Sequence, residues 1–600
     1  MTANEKIAAI RALMARDNVD AIIIPGADPH MSEYFSSHWG TVTFVSGFTG
    51  EAGTFVITRD IAGLWTDGRY YIQAANELAG SESVLFRASE PETPGIKNYL
   101  RDNLPEGSVI GINAKLYSAG FVKSLKEAWS EKHFTIKTDA DYANDIWDDR
   151  PAEEYTPVYC LGTEYSGKSA ADKLAEVRKE IRALGADSLI ISRLDNIAWL
   201  FNIRANDVIC NPVVISYAYL SQDTAILYTD GSRVPEEVRS ELLVNGIELR
   251  SYEAIFDDLK AIDTAETVIC DETEANFALF EAASENANLK VVNKLDPIPL
   301  MKACKNDIEV ENTFRAYLYD GIAEAEFYAW LEEEMKNGRS YTEWQLSEKL
   351  HSFRAAQPGF KGDSFNAIIA YRDNAAMMHY SPTPENARVI EKAHLLLNDS
   401  GGQYLTGTTD TTRTIAVGEI SDEERRDFTL VLKGVIALSS VKFKEGICGK
   451  ELDILARNPV WQLGIDYRCG TGHGVGYLLN VHEGPHGFRS TVALKPGMVV
   501  TIEPGVYTEG SHGIRTENTV VVRKDVKTEY AQFYRFDTFT VVPIDTSCLD
   551  LSLMTDSEIL WLNNYHKHVY EAVAPHLSER AKAWLERNTR SIARQKAYPF

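Results

Sequence analysis

Apolar positions recur at helical spacing over residues 5–16, which predicts an amphipathic helix. Asp20-Ala21-Ile22-Ile23-Ile24 then makes a short apolar run closed by Pro25-Gly26, the pattern of a buried strand and its turn. The pattern returns about 170 residues later. Ile10-Arg11-Ala12-Leu13 leads into the first strand, and Ile181-Arg182-Ala183-Leu184 leads into Ala186-Asp187-Ser188-Leu189-Ile190-Ile191. Further strands are expected over 53–58 and 213–216. This weak repeat predicts two related α/β domains, each a sheet with flanking helices.

Leu64-Trp65-Thr66-Asp67-Gly68-Arg69-Tyr70-Tyr71 reads as a strand, a tight turn and a helix start. Arg69 is either a surface arginine beside that turn or a group that reaches a neighbouring site. Breaks fall at 148–157, which is acidic with two prolines, and at 297–304, where Asp-Pro-Ile-Pro interrupts regular structure. They divide the chain into domains 1–157, 158–300 and 301–600. Helices are predicted over 306–336 and 342–352, then strands and glycine turns to about 542. Residues 551–598 read as helix again, with Trp561-Leu562-Asn563-Asn564-Tyr565-His566 near its start.

At 600 residues the chain exceeds one ordinary core, and its 44% hydrophobic and 25% charged residues are those of a globular protein. No run of 18 apolar residues predicts a membrane span, and the start shows no basic and apolar leader. Seven scattered cysteines with no CxxC pair argue for reduced thiols and a cytoplasmic location. A net charge of -26 disfavours nucleic acid as a partner. It reads as solubility, or as capture of a basic partner.

Five of the 13 histidines lie at 379, 394, 473, 482 and 486. The acids beside them are more informative. Leu395-Leu396-Leu397-Asn398-Asp399 is an apolar strand ending in an aspartate, and Thr408 to Thr414, carrying Asp410, reads as its partner after a turn at Gly407. Each aspartate alone could simply cap a turn. Met498-Val499-Val500-Thr501-Ile502-Glu503 is a second apolar strand ending in an acid, costly to bury unless paired or bound to a metal. Arg515 and Glu517, two apart, would share one face of a strand, so Arg515 could clamp a ligating carboxylate or form a plain surface pair.

Gly470-Thr471-Gly472-His473-Gly474-Val475-Gly476 lacks the βαβ frame of a nucleotide loop, and Gly484-Pro485 rules out a long following helix. Its glycines instead let the backbone crowd a site into which His473 points. His482 lies nine residues on, and His379 lies upstream. Four carboxylates and one imidazole (Asp399, Asp410, Glu503, Glu517 and His473) suit two divalent cations. Oxygen-rich ligation favours Mn²⁺, with Co²⁺ or Zn²⁺ also able to occupy such a site. Such a pair shares a water and makes hydroxide of it near neutral pH, with Glu503 placed to take the proton. Histidines off the metals would hold a substrate carbonyl. No Gly-x-Ser-x-Gly elbow competes as nucleophile.

These residues resemble the aminopeptidase P and prolidase branch of the pita-bread metallopeptidases, and most closely the long cytosolic form of Xaa-Pro aminopeptidase. The motifs are Asn398-Asp399-Ser400-Gly401, Thr408 to Thr414, Gly470 to Gly476, Asn480-Val481-His482-Glu483-Gly484-Pro485, Thr501-Ile502-Glu503-Pro504-Gly505 and Gly513-Ile514-Arg515-Thr516-Glu517-Asn518. The Trp65 to Tyr70 and Trp561 to His566 segments also match, so the resemblance spans nearly the whole chain. It implies two creatinase-like N-terminal α/β domains, an α+β pita-bread catalytic domain, two Mn²⁺ ions and a homodimer. It implies removal of the residue before a penultimate proline. By position, Asp399 would bind one metal, Asp410 and Glu517 would bridge, and His473 and Glu503 would serve the other. His379 and His482 would handle substrate and protons, Arg515 would stand behind the ligands, and Arg69 and Tyr507 would border the substrate. Many relatives carry histidine where this chain has Cys469, which bears on substrate binding or pH dependence. The alternatives are a prolidase cutting Xaa-Pro dipeptides and an inactive pita-bread module that binds proteins, which would lose ligands that are all kept here.

Overall fold

The lead helix is Ala3–Arg16, capped by Thr2, whose hydroxyl accepts from Glu5 N while the Glu5 carboxylate accepts from Thr2 N. Its apolar stripe, Ile7, Ile10 and Met14, is buried against Ile22 and Ile24 of the strand Ala21–Pro25. The computed structural model describes residues 1–593. It forms two compact units, Met1–Pro299 and a second beginning at Leu300.

The first unit expresses the repeat in its topology. One six-stranded sheet runs in the order Val84–Arg87, Ala62–Thr66, Thr54–Thr58, Ala21–Pro25, Val109–Gly111, Thr135–Lys137. The other runs Glu248–Arg250, Ala225–Tyr228, Tyr217–Ser221, Ser188–Ile191, Glu266–Ile269, Leu289–Val292. In each, the strand after the lead helix pairs antiparallel on one side and parallel on the other. The second lead helix, Ala170–Ala183, is capped by Ser169 and buries Leu174, Val177 and Ile181.

The strand expected over 213–216 lies four residues later, at Tyr217–Ser221. Val213 to Ser216 are buried, but their backbone is satisfied outside a ladder. Ile215 N donates to Asp207 Oδ2 at 2.7 Å, and Ile215 O accepts from Thr229 Oγ1 at 2.8 Å. Apolar pattern alone cannot distinguish that from pairing.

In the second unit Asn306 caps a 30-residue helix, Asp307–Lys336, reciprocally with Glu309. Thr342 caps Glu343–Ala355. The strands that follow make a six-stranded sheet and smaller sheets around one large core. Two helices interrupt what the sequence reads as strands and turns, Asp422–Ser439 and Gly449–Trp461. The first is buried on most sides (Phe428, Leu430, Val431, Leu432, Val435, Ile436, Leu438), so its apolar run lacks a helical period. The reciprocal cap between Ser421 and Glu424 is its legible signal. The C-terminal helix is also broken. Asp556–Val573 ends at a turn holding Pro575, and Ser578 caps a new helix, Glu579–Asn588. Of the helix expected to 598, residues 594–598 lie outside the described residues.

Behind the Leu395–Ser400 strand, Arg354 Nε donates to Asp320 Oδ1 at 2.7 Å and Arg354 Nη2 to Glu324 Oε1 at 2.8 Å, all three side chains buried. Arg354→Met would strand two carboxylates in the core. It should destabilise the second unit by about 3–5 kcal/mol, read as a lowered midpoint in thermal or urea unfolding.

Candidate metal centre

Several strands and the breaks between them bring the candidate ligands together. Leu395–Ser400 pairs antiparallel with Thr411–Ala416, setting Asp399 opposite Thr412. The run from Thr408 to Thr414 is not one strand. Gly407–Thr408 belongs to a different sheet, and Asp410 sits in the break between the two. Val499–Ile502 delivers Glu503 at its end. Arg515 closes the strand His512–Arg515 and Asn518 opens the next, so Glu517 lies between them and does not share a strand with Arg515.

His473 is fixed by its neighbours. Its Nδ1 lies 2.9 Å from the Gly474 carbonyl, which can only accept, so Nδ1 carries the proton. The Nε2 lone pair then faces Asp410 Oδ2 at 3.3 Å and Glu503 Oε1 at 3.5 Å. Ligand atoms of Asp410, His473 and Glu517 all lie within 4.8 Å of one another. Lone pairs converging at such range repel unless a cation lies among them. Asp399 Oδ1 and Glu517 Oε1 are buried and have no hydrogen-bond partner among the described residues. An oxygen-rich set with orphaned buried oxygens fits divalent cations.

The acids crowd one another. Burial pushes the Asp399 carboxyl up to about 6, against the pull of Arg515 and with help from Asp410 and Glu503. Burial, then Asp410, Glu503 and Asp399, push the Glu517 carboxyl well above its ordinary range. Arg515 is the counterweight. Its Nε donates to Asp399 Oδ2 at 3.1 Å, its Nη2 to the same oxygen, and its Nη1 to Tyr507 OH at 2.7 Å. The clamp expected of Arg515 thus closes on Asp399 rather than Glu517, and it is buried rather than a surface pair.

The glycine loop allows contact that no other residue permits. A Cβ on Gly472 would stand 1.9 Å from the Thr501 carbonyl oxygen, and one on Gly474 would stand 2.2 Å from that of Glu483. His482 stands edge-on to His473, ring centroids 4.2 Å apart. His379 is half-buried and follows Met378, whose carbonyl lies 3.5 Å from Arg515 Nη2. Cys469 lies beside Glu503, Arg515 and Tyr507, and burial pushes its thiol up to about 11, so it is neutral. Arg69 belongs to the first unit, where Asp67 Oδ2 accepts from its Nη2 at 2.8 Å.

Several residues that position the ligands escaped the sequence reading. Tyr317 OH accepts from Asp410 N at 3.1 Å, and Thr519 Oγ1 donates to Asp410 O at 3.0 Å. Thr412 Oγ1 donates to Glu517 Oε2 at 2.8 Å. Buried Arg413 binds the carbonyls of Thr412, Glu517 and Val542 and the hydroxyl of Tyr565. The threonine-rich run around Asp410 is their one sequence signal; Tyr317 and Tyr565 come from distant helices.

A carboxyl raised by folding adds stability below its unfolded pKa and loses it as pH rises through the folded value. Metal-free protein should therefore lose stability between about pH 4 and pH 6–7 through Asp399. The loss should be at most about 3 kcal/mol. Asp399→Asn should remove that part of the slope in urea unfolding of metal-stripped protein, and an unchanged slope would refute the assignment.

Comparison with known proteins agrees with this geometry. Metallopeptidase family M24 matches residues 311–524, and the C-terminal region of peptidase M24 matches 532–592. Creatinase/prolidase N-terminal domains match 6–140 and 149–309. A probable Xaa-Pro aminopeptidase P of Tuber melanosporum is 39% identical over 616 residues, covering 98% of this chain and 99% of that protein. The X-prolyl aminopeptidase of Caenorhabditis elegans, a cytosolic enzyme with a di-nuclear active site, superposes with a TM-score of 0.94 at 34% identity, over 99% of this chain and 100% of that one. An Xaa-Pro dipeptidase of Bacillus anthracis shares the fold at 24% identity and a TM-score of 0.51, over 63% of this chain and 99% of that one. The chain belongs to metallopeptidase family M24, in its aminopeptidase P branch, with creatinase-like N-terminal domains ahead of a pita-bread peptidase domain.

Proposed function

We propose that this enzyme removes the N-terminal residue from peptides whose second residue is proline. The observation that carries the reading is the convergence of the His473 Nε2 lone pair with Asp410, Glu503 and Glu517, beside the Asp399 carboxylate that Arg515 holds. The full-length likeness to aminopeptidases P supports it over a prolidase, which is matched over only part of the chain.

The residues fit two divalent cations, and the oxygen-rich donor set favours Mn²⁺ over Co²⁺ or Zn²⁺. Asp399 would hold one ion, Asp410 and Glu517 would bridge, and His473 and Glu503 would hold the other. When bound, such a pair supplies the positive charge that polarises a carbonyl and acidifies a water. Glu503 takes the proton of the attacking water and returns it to the prolyl nitrogen as the C–N bond breaks. His379 and His482 hold the substrate carbonyl and its developing oxyanion. Arg515 keeps Asp399 ionised and oriented. Tyr507 borders the substrate. The Xaa-Pro bond is a tertiary amide with no N–H, so a site that binds it need not satisfy one.

We further propose domains at 1–157, 158–300 and 301–600, a homodimer and a cytoplasmic location. The cytosolic C. elegans enzyme supports the last. Among the described residues no helix is long and apolar enough to cross a membrane.

Metal-stripped protein given back Mn²⁺ should cleave an Xaa-Pro-Yaa tripeptide at the Xaa–Pro bond. Cleavage of the Xaa-Pro dipeptide alone would make it a prolidase, and no cleavage of either would refute a peptidase. Glu503→Gln should lower kcat at least about 100-fold.

A further inference from the structure

Behind the candidate site lies a buried charge cluster that the reaction does not use. Lys302 Nζ stands 3.1 Å from Glu483 Oε2, and Lys305 Nζ bonds Glu483 Oε1. The three side chains are 3%, 1% and 0% exposed, so two ammonium groups share one carboxylate away from solvent. His486 adds no charge. Its Nε2 donates to the Val499 carbonyl at 2.8 Å, and burial with the two lysines pushes its pKa down to about 4. A buried set of this kind is poorly explained as a source of stability, because desolvation offsets the attraction and apolar groups of the same volume serve as well. What it does supply is a fixed register.

The parts it joins are specific. Lys305 is tied to the edge of the strand region through its N–H on the Gly497 carbonyl at 3.1 Å, and a Cβ on Gly497 would stand 2.4 Å from the Lys305 carbonyl oxygen. Glu483 pairs with Gly474 across the ladder, and Gly474 pairs with Val500. Residue 482 is therefore one peptide unit from a doubly held carboxylate, and residue 473 is one unit from its ladder partner. The two rings that result are the edge-on pair His473 and His482. A one-residue slip at Glu483 would turn His482 to the other side of the strand.

We propose that Glu483, held by Lys302 and Lys305, is a positioning residue that sets His482 for the substrate carbonyl. The inference rests on the aminopeptidase reading above.

The test compares wild type, Glu483→Gln and the triple variant Lys302→Met/Glu483→Leu/Lys305→Met. Each is loaded with Mn²⁺ and assayed on an Xaa-Pro-Yaa tripeptide, with bound metal and Tm measured alongside. Positioning predicts that both variants keep two metal equivalents and a KM within about threefold of wild type, while kcat falls at least tenfold. The triple variant, free of buried charge, should keep a Tm at or above the wild-type value. A triple variant with wild-type kcat would make the cluster purely structural and overturn the inference. So would a triple variant that fails to fold, or a fall in kcat that tracks lost metal. Wild-type protein that binds two metals yet cleaves no such peptide would overturn the reaction itself, a distinct failure.

Discussion

The catalytic unit is governed by the mutual repulsion of buried carboxylates. Asp410, half-buried Glu503 and Glu517 converge on the His473 imidazole with Asp399 in the same cluster, and Asp399 and Glu517 are pushed upward by burial and by the neighbouring acids. Arg515 reaches into the group, bonded to Asp399 and Tyr507 and 4.0 Å from Glu503 Oε2. Burial and neighbouring negative charge both work against the ionised form of Asp399 and Glu517. Divalent cations relieve the same repulsion and convert it into affinity, which is why the crowding points to a metal pair rather than to a carboxylate acid–base dyad.

Holding such a cluster takes a frame that does not yield. The segments that bring Asp399, Asp410 and Glu517 are held by buried hydrogen bonds. Tyr317 and Thr519 fix the backbone at Asp410. Arg413, whose Nη2 also donates to the Tyr565 hydroxyl, fixes the carbonyls of Thr412 and Glu517. Asn398 and Ser400, on the far face from Asp399, bond Glu324, which in turn binds Arg354. The C-terminal helix Asp556–Val573 joins this frame through Tyr565, which accepts from Arg413, and through His566 Nε2, which accepts from Ile544 N at 3.1 Å.

Much of this was legible in the sequence, for identifiable reasons. An acid at the end of an apolar strand is expensive, so Asp399 and Glu503 stood out. Glycines flanking His473 stood out because they let a backbone crowd a site, and the structure adds the reason at Gly472, where a Cβ would stand 1.9 Å from the Thr501 carbonyl oxygen. The repeat in the first unit was visible because a lead helix and an apolar strand recur in the same order, and both sheets carry the same topology. What was hidden was long-range. The helix Asp422–Ser439 is buried on most sides and so lost its period. Val213 to Ser216 look like a strand because burial, not pairing, sets their composition. Tyr317 and Arg413 act through hydrogen bonds to residues scores or hundreds of positions away, which no local pattern encodes.

The most direct test of the account is anomalous diffraction from crystals soaked in Mn²⁺. The account predicts two peaks about 3.5–4 Å apart, between Asp410 and Glu517, one beside Asp399 and the other beside His473 and Glu503. A single peak, or none, with those carboxylates bridged only by water or protons, would contradict it.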